Sequence, residues 1–232
     1  MLERAWNEHC PEGLPDKAVF ELVEVWLAKG DAAKAKAYLA RTTRKDDYQY
    51  RQLLERILRE LDEKEELAAL LRREFSHYRS SDNLKKLLEL VGEDQRGKII
   101  AEEAEAIAAA EWFNEHDVEF LLFSGLDEAA VQHVLRHAGK IVGAMSFGLE
   151  SLAQAFAKLG NPLPAIVLYR AMVDATLEAK KSKYYHHAVS HLCEMKRLAA
   201  TIPDWGKFQP HDAYFDNLRV VHARKSGFWS QL

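Results

Sequence analysis

A chain of 232 residues, 48% hydrophobic and 29% charged with only 11 Gly and 6 Pro, can bury a real core and has none of the bias of a disordered or low-complexity tract. Its net charge of −4 excludes a surface that is basic all over, the footprint of a duplex DNA or anionic-membrane binder. The two cysteines, Cys10 and Cys193, form neither a disulfide framework nor a CxxC knuckle, and no apolar run approaches the ~18 residues of a membrane span. The amino-terminal segment MLERAWNEHC carries charge throughout and has no apolar signal core, so the expected setting is soluble, reducing and cytoplasmic.

Taken in chain order, the first clear element is PDKAVFELVEVWLAKG. Val19, Leu22, Val23, Trp26 and Leu27 recur at i, i+3, i+4, i+7 and i+8, one stripe of an amphipathic helix. Pro15 and Asp16 suit its start and Gly30 its stop, after which DAAKAKAYLA begins a second helix at once. This abrupt joint recurs around Asp62, Gly92, Gly125 and Gly160, at separations of 32, 30, 33 and 35 residues. A helix, a tight turn, a second helix and a linker take about 34 residues in a tetratricopeptide-type hairpin. One hairpin cannot cover its own apolar faces, whereas stacked neighbours make a continuous core. The spacing therefore predicts hairpins over 15–42, 46–77, 82–110, 114–138 and 143–179, followed by capping helices over 182–201 and 210–223, in a single array spanning 1–232.

Within these elements, Ser/Asp in SSDNLKKLLELVG and Asn114 in NEHDVEF are expected helix starts, the latter with Asp117 three residues on. The cluster AEEAEA, with Glu102, Glu103 and Glu105, reads as a solvated helical face early in its helix. His133 and His137 stand one turn apart without a nearby carboxylate to give them chemical context.

KSKYYHHAVSHLCEMKR, residues 181–197, is the one stretch rich in chemistry-bearing side chains. At 100° per residue, Tyr184, Ala188, Leu192, Met195 and Ala199 gather into an apolar arc, while His186 and Cys193 point away from it. His187, His191 and Glu194, at i, i+4 and i+7, are what remains as a candidate 2-His-1-carboxylate metal set. Three ligands strung over two turns of a straight helix span ~10 Å, so at least one further ligand from elsewhere would be needed. His-x3-His without the glutamate of HExxH does not specify a metal site, and the alternative is a helix whose histidines bond to backbone and neighbours.

From Gly160 onward ten Lys/Arg face six Asp/Glu, a net of +4, whereas the first 159 residues carry 22 against 30, a net of −8. Lys180, Lys181, Lys183, Lys196, Arg197, Arg219, Arg224 and Lys225, interleaved with Tyr185 and Trp229, could form an anion-binding face for nucleotide or nucleic acid. In the tail HARKSGFWSQL, Gly227 reads as a helix C-cap, with Phe228 and Trp229 folding back over the final helix. An exposed tail peptide for a partner is the other reading.

The segments NPLPAIVLYRAMVDATLEAKKSKYYHHAVSHLCEM and DWGKFQPHDAYFDNLRVVHARKSGFW resemble the carboxy-terminal end of a family of uncharacterised, mostly proteobacterial helical proteins. The pieces that carry the likeness are LYRAM, SKYYHHA, DWG and HARKSGFW. A looser similarity is to the helical segment beside SWIM-type zinc fingers, although the Cys/His pattern of such a finger is missing. The resemblance implies an all-helical fold, supplies no catalytic residues, and suits a chain that is the carboxy-terminal portion of a longer protein.

No GxxxxGK[ST], GxGxxG after a strand, HExxH, GxSxG or EF-hand loop is present. The expectation is therefore an all-α, tetratricopeptide-like solenoid with a carboxy-terminal capping pair. It would be non-enzymatic, with no catalytic, cofactor or metal residues assigned, and would bind a protein or peptide. A nucleotide- or nucleic-acid-associated module is the alternative, a metal-dependent enzyme built on His187, His191 and Glu194 a more distant one, and a membrane partner is not expected.

Overall fold

The computed structural model describes residues 15–143, 147–180 and 182–232; Cys10 and Lys181 lie outside them. Among the described residues all regular structure is helical, and no helix is long and apolar enough to cross a membrane. The chain gathers into two compact units, one of residues up to Tyr78 together with Asp82–Gln95, the other of Arg79–Ser81 together with Arg96–Leu232. The division falls inside the expected hairpin 82–110.

The first unit contains α1 (Asp16–Ala28), α2 (Ala32–Leu39), α3 (Tyr48–Glu60), α4 (Lys64–His77) and nearly all of α5 (Ser81–Val91). Helix α1 packs on both α2 and α3, and α3 packs on α4. Val19, Phe20, Val23 and Leu27 of α1 are buried against Ala35, Tyr38 and Leu39 of α2 and Leu53 and Ile57 of α3. The expected stripe is thus rotated toward Phe20, while Leu22 and Trp26 sit at its margin, partly buried. Trp26 keeps one face for solvent and cations: it stacks on Tyr38 at 6.3 Å and carries the ammonium groups of Lys29 and Lys34 at 4.7 and 4.6 Å. Asp16 ties the start of α1 to the loop after α2, accepting hydrogen bonds from the Thr42 hydroxyl and from Thr43 N at 3.1 Å. Those bonds, the Thr42 hydroxyl first, hold its carboxyl below the ordinary aspartate value.

The second unit contains α6 (Arg96–Ala109), α7 (Glu115–Phe123), α8 (Asp127–Arg136), α9 (Phe147–Lys158), α10 (Pro162–Glu178), α11 (Tyr185–Ala199), α12 (His211–Val221) and the single turn α13 (Ser226–Trp229). Successive helices pair as α7 with α8, α9 with α10 and α10 with α11, and next-but-one neighbours touch as α6 with α8, α7 with α9 and α8 with α10. Helix α10 is the centre: Pro164 through Tyr169 are buried without a break, as expected of a helix covered on every side. Gly143 lies flat on this helix. A Cβ there would stand 1.8 Å from the carbonyl oxygen of Ala171, so only a residue without a side chain fits so close an approach.

The joints share one geometry. Gly30, Asp62, Gly92, Gly125 and Gly160 all have positive φ, between 52° and 100°. At four of them the following N–H reaches back to the third-last carbonyl of the helix: Asp31 N to Trp26 O, Glu63 N to Leu58 O, Leu126 N to Leu121 O and Asn161 N to Phe156 O, at 2.8–3.0 Å. This is the Schellman closure, which satisfies carbonyls that the ended helix leaves open. At Gly92 the bond is Gly92 N to Leu88 O instead, and a 3-10 turn, Glu93–Gln95, leads into α6.

Candidate functional site

Helix α11 separates the residues that its sequence placed in one cluster. Its buried face is Tyr185, Ala188, His191, Leu192, Met195 and Leu198. Tyr184 ends a 3-10 turn ahead of the helix and is only half-buried, so Tyr185 takes the core position expected of Tyr184. His191 is 7% exposed and packs on the Tyr169 ring at 5.1 Å; burial pushes its pKa down. His187 is exposed and rests beside His186, ring centroids 4.0 Å apart, and Glu194 forms an ion pair with Arg197 at 2.9 Å. The three candidate ligands therefore face different surroundings, and among the described residues no group of three His, Cys, Asp or Glu is placed to hold a metal ion. Cys193 is a free, exposed thiol.

The residues that carry the family resemblance meet one another. Arg170 of LYRAM lies between the rings of Tyr214 and Trp205, at 4.6 and 5.3 Å, and donates to the carbonyl of Gln209 at 2.7 Å. One turn along α10, Asp174 accepts the Tyr214 hydroxyl at 2.7 Å. Burial raises the pKa of Asp174 against the opposing pull of this hydrogen bond, and burial, then the Asp174 carboxylate, raises that of Tyr214. Phe228 of the tail is fully buried with its ring edge-on to Tyr185 at 5.6 Å, and Trp229 donates to the carbonyl of His222 at 2.8 Å. Gly227 does not cap the preceding helix. Helix α12 stops at Val221, and Gly227 lies inside α13, where the turn aims both aromatic rings inward. Several basic residues of this third are engaged close to home: Arg219 lies over Phe215 and Trp229, and Lys183 over Tyr184.

Two further polar clusters of this unit hold helices together. His137 has its ring nitrogens 2.9 Å from the carbonyl of His133 and 3.1 Å from that of Ala110, and Arg136 donates to the carbonyls of Ala108 and Ile107. Side chains at the carboxy-terminal end of α8 and just beyond it thereby satisfy the open carbonyl end of α6. His133, 2% exposed beside them, has its pKa lowered to about 4, chiefly by burial, then by His137 and Arg136. Arg79 bridges Glu103 and Asp117, each at 2.7 Å, with 13%, 5% and 8% of the three side chains exposed. Glu103 is thus not part of a solvated face, and Asp117 forms this bridge while the N-cap bond of α7 comes from Asn114 accepting His116 N. Burial raises the pKa of Asp117 against the opposing pull of Arg79.

A large concave surface lies in the first unit, where sequence pointed least. It is an open cleft of about 1070 Å³ between the loop before α3 and helices α3, α4 and α5. Lys45, Arg51, Arg56, Arg59, Arg73 and Lys86 line it against only Asp46, Glu55 and Glu74. Tyr48 and Tyr78 present exposed rings at 67% and 49%, and Leu54 and Leu70 add apolar wall. Glu55 and Glu74, with 17% and 18% of their side chains exposed, sit behind the cations: Glu55 holds Arg59 at 2.9 Å and Lys86 at 3.9 Å, and Glu74 holds Arg51 at 3.7 Å. Burial, then the Glu55 carboxylate, raises the pKa of Glu74. A signal was present in RTTRKDDYQYRQLLERILRE, where Tyr48 and Tyr50 stand among five arginines, but the −8 of the surrounding sequence hides it.

A family model matches residues 24–231. The chain belongs to DUF6880, a family of unknown function. The matched span takes in every residue that lines the cleft as well as the Arg170 cluster. Neither a curated protein nor a solved structure matches this chain.

Proposed function

We propose that the chain is a non-enzymatic module that binds a protein or peptide, with the cleft of the first unit as its docking surface. The observation that carries this reading is the cleft itself: open, at about 1070 Å³ at the upper end of what small-molecule sites span, and lined by cations and tyrosines. Tyrosine and arginine are the residue types that interfaces favour, because each offers a large contact area with a polar end. Within each unit we read the helix pairs as tetratricopeptide-like stacking. The repeated Schellman joints and the contacts between next-but-one helices support that reading, and such stacks expose a concave face for extended partners. We place the protein in the cytoplasm, in keeping with its free, exposed Cys193.

The alternative of a nucleotide or nucleic-acid module built on the basic carboxy-terminal third draws less support, since Arg170 is held by Trp205 and Tyr214 and Arg219 by Phe215 and Trp229. An enzyme centred on His187, His191 and Glu194 draws less still, because His191 is buried against Tyr169 while Glu194 faces Arg197.

Selection of a displayed random-peptide library against the full chain tests the proposal. Enriched peptides should lose about tenfold or more in affinity when Tyr48→Ala and Arg73→Ala are combined. A selection that enriches nothing, or peptides indifferent to both substitutions, contradicts it.

A further inference from the structure

We infer that the partner of the cleft is an acidic peptide segment, one with carboxylates spaced among apolar or aromatic residues. This rests on the reading of the cleft as a docking surface and adds the chemistry of what docks.

Charge complementarity is the first ground. The chain as a whole carries −4, yet the cleft lining holds six Lys/Arg against three Asp/Glu, a local excess of three positive charges. Such an inversion on a concave surface concentrates opposite charge and speeds its arrival.

Availability is the second. Arg73 has 80% of its side chain exposed and its partner Asp46 has 93%, at 3.4 Å. Arg56, Arg59 and Lys86 expose 49%, 47% and 50% of their side chains. An ion pair as wet as Arg73 with Asp46 contributes at most about 1 kcal/mol, so an incoming carboxylate can replace or join Asp46 at little cost. The guanidinium fork of an arginine accepts a carboxylate through two parallel hydrogen bonds, and four of the six cations are arginines.

The third ground separates a peptide from a nucleic acid. A phosphodiester backbone brings a negative charge at every nucleotide and calls for a continuous positive track. Here Asp46, Glu55 and Glu74 share the lining with the cations, as do two leucines and the exposed Tyr48 and Tyr78. A peptide can set its carboxylates at the cations and its apolar side chains at Leu54, Leu70, Tyr48 and Tyr78. Glu55 and Glu74 hold Arg59, Lys86 and Arg51 from behind, which fixes where the positive ends stand before a ligand arrives.

The test uses the full chain and a fluorescein-labelled, glutamate-rich peptide of about twelve residues carrying two leucines, followed by fluorescence anisotropy. Its counterparts are the same peptide with glutamine at every glutamate, the same with lysine, and an oligothymidylate of equal length. The glutamate peptide should bind about tenfold or more tightly than the glutamine form, weaken as salt is raised, and lose about tenfold when Lys45→Glu and Arg73→Glu are combined. Both substitutions are at exposed positions, and an unchanged thermal midpoint will show that the fold is intact. Equal or tighter binding of the glutamine or lysine peptide, lost with Tyr48→Ala, would overturn the acidic partner while leaving the docking surface standing. Tighter binding of oligothymidylate, or glutamate-peptide binding untouched by the charge reversals, would overturn the inference. Failure of every peptide to bind would take the docking reading down with it.

Discussion

The two units use the same charged residue types in opposite ways. In the cleft of the first unit the pair Arg73 and Asp46 keeps 80% and 93% of its side chains in water. In the second unit Arg79, Glu103 and Asp117 keep 13%, 5% and 8%. An exposed pair is screened and exchangeable, so it adds little to folding and remains open to a ligand. A buried bridge has already given up its water; removing one member leaves the others uncompensated in a medium that penalises charge. The same contrast holds for the arginines over aromatics, since Arg170, between Trp205 and Tyr214, serves packing rather than recognition. Where the charge sits, rather than how much there is, separates the surface proposed to bind a partner from the frame that supports it.

The largest test of this contrast is Arg79→Met. It leaves Glu103 and Asp117 buried without their cation and should lower stability by about 3–5 kcal/mol, read by urea unfolding. A change under ~1 kcal/mol would show that the bridge is as dispensable as a surface pair.

An intermediate effect concerns pH. The pKa of His133 falls from an unfolded value of 6.5 to about 4 in the folded protein. Its contribution to stability is therefore complete above pH 6.5 and is lost as the pH drops through 4, because the unfolded chain takes up the proton first. Asp117 and Asp174, whose pKa values are raised, act in the opposite direction. The contribution of the histidine is best read as a difference: His133→Phe should lose less thermal stability than the parent between pH 7 and pH 4.5, and an identical loss would contradict the assignment.

The smallest effect is at a joint of the first unit. Asp62 adopts φ 52° where the other four joints have glycine. Asp62→Gly should raise stability by about 0.5–1 kcal/mol, since a β-carbon is strained in the left-handed region. Loss of stability instead would mean that the aspartate side chain does more at the joint than its contact with Lys64 suggests.

Helix positions were legible because their signals are local. A glycine that must adopt positive φ at a helix end is written at the residue concerned, and the joints at Gly30, Gly125 and Gly160 close as their spacing implies. The buried face of α11 was legible to within one position, the error arising because the helix begins at Tyr185 and not before it. Contacts between distant residues were not legible. Arg79 meets partners 24 and 38 residues away, so nothing beside Glu103 in AEEAEA marks it as buried. The cleft escaped notice for a related reason. Summed charge along a segment averages over all faces of its helices, and the cations of α3 and α4 share a face while many acidic residues of the same segment lie elsewhere. His191 looked like a ligand because sequence shows its type and spacing but not the Tyr169 ring that covers it.

The central claim, that the first unit's exposed cations recognise while the second unit's buried one supports, is tested most directly by comparing Arg73→Ala with Arg79→Ala for thermal midpoint and for anisotropy-measured affinity toward the glutamate-rich peptide. The account predicts that Arg73→Ala weakens the peptide several-fold with a midpoint within about a degree of the parent, and that Arg79→Ala lowers the midpoint by ten degrees or so. A midpoint that falls for Arg73→Ala with peptide binding unchanged, or that stays put for Arg79→Ala, would contradict it.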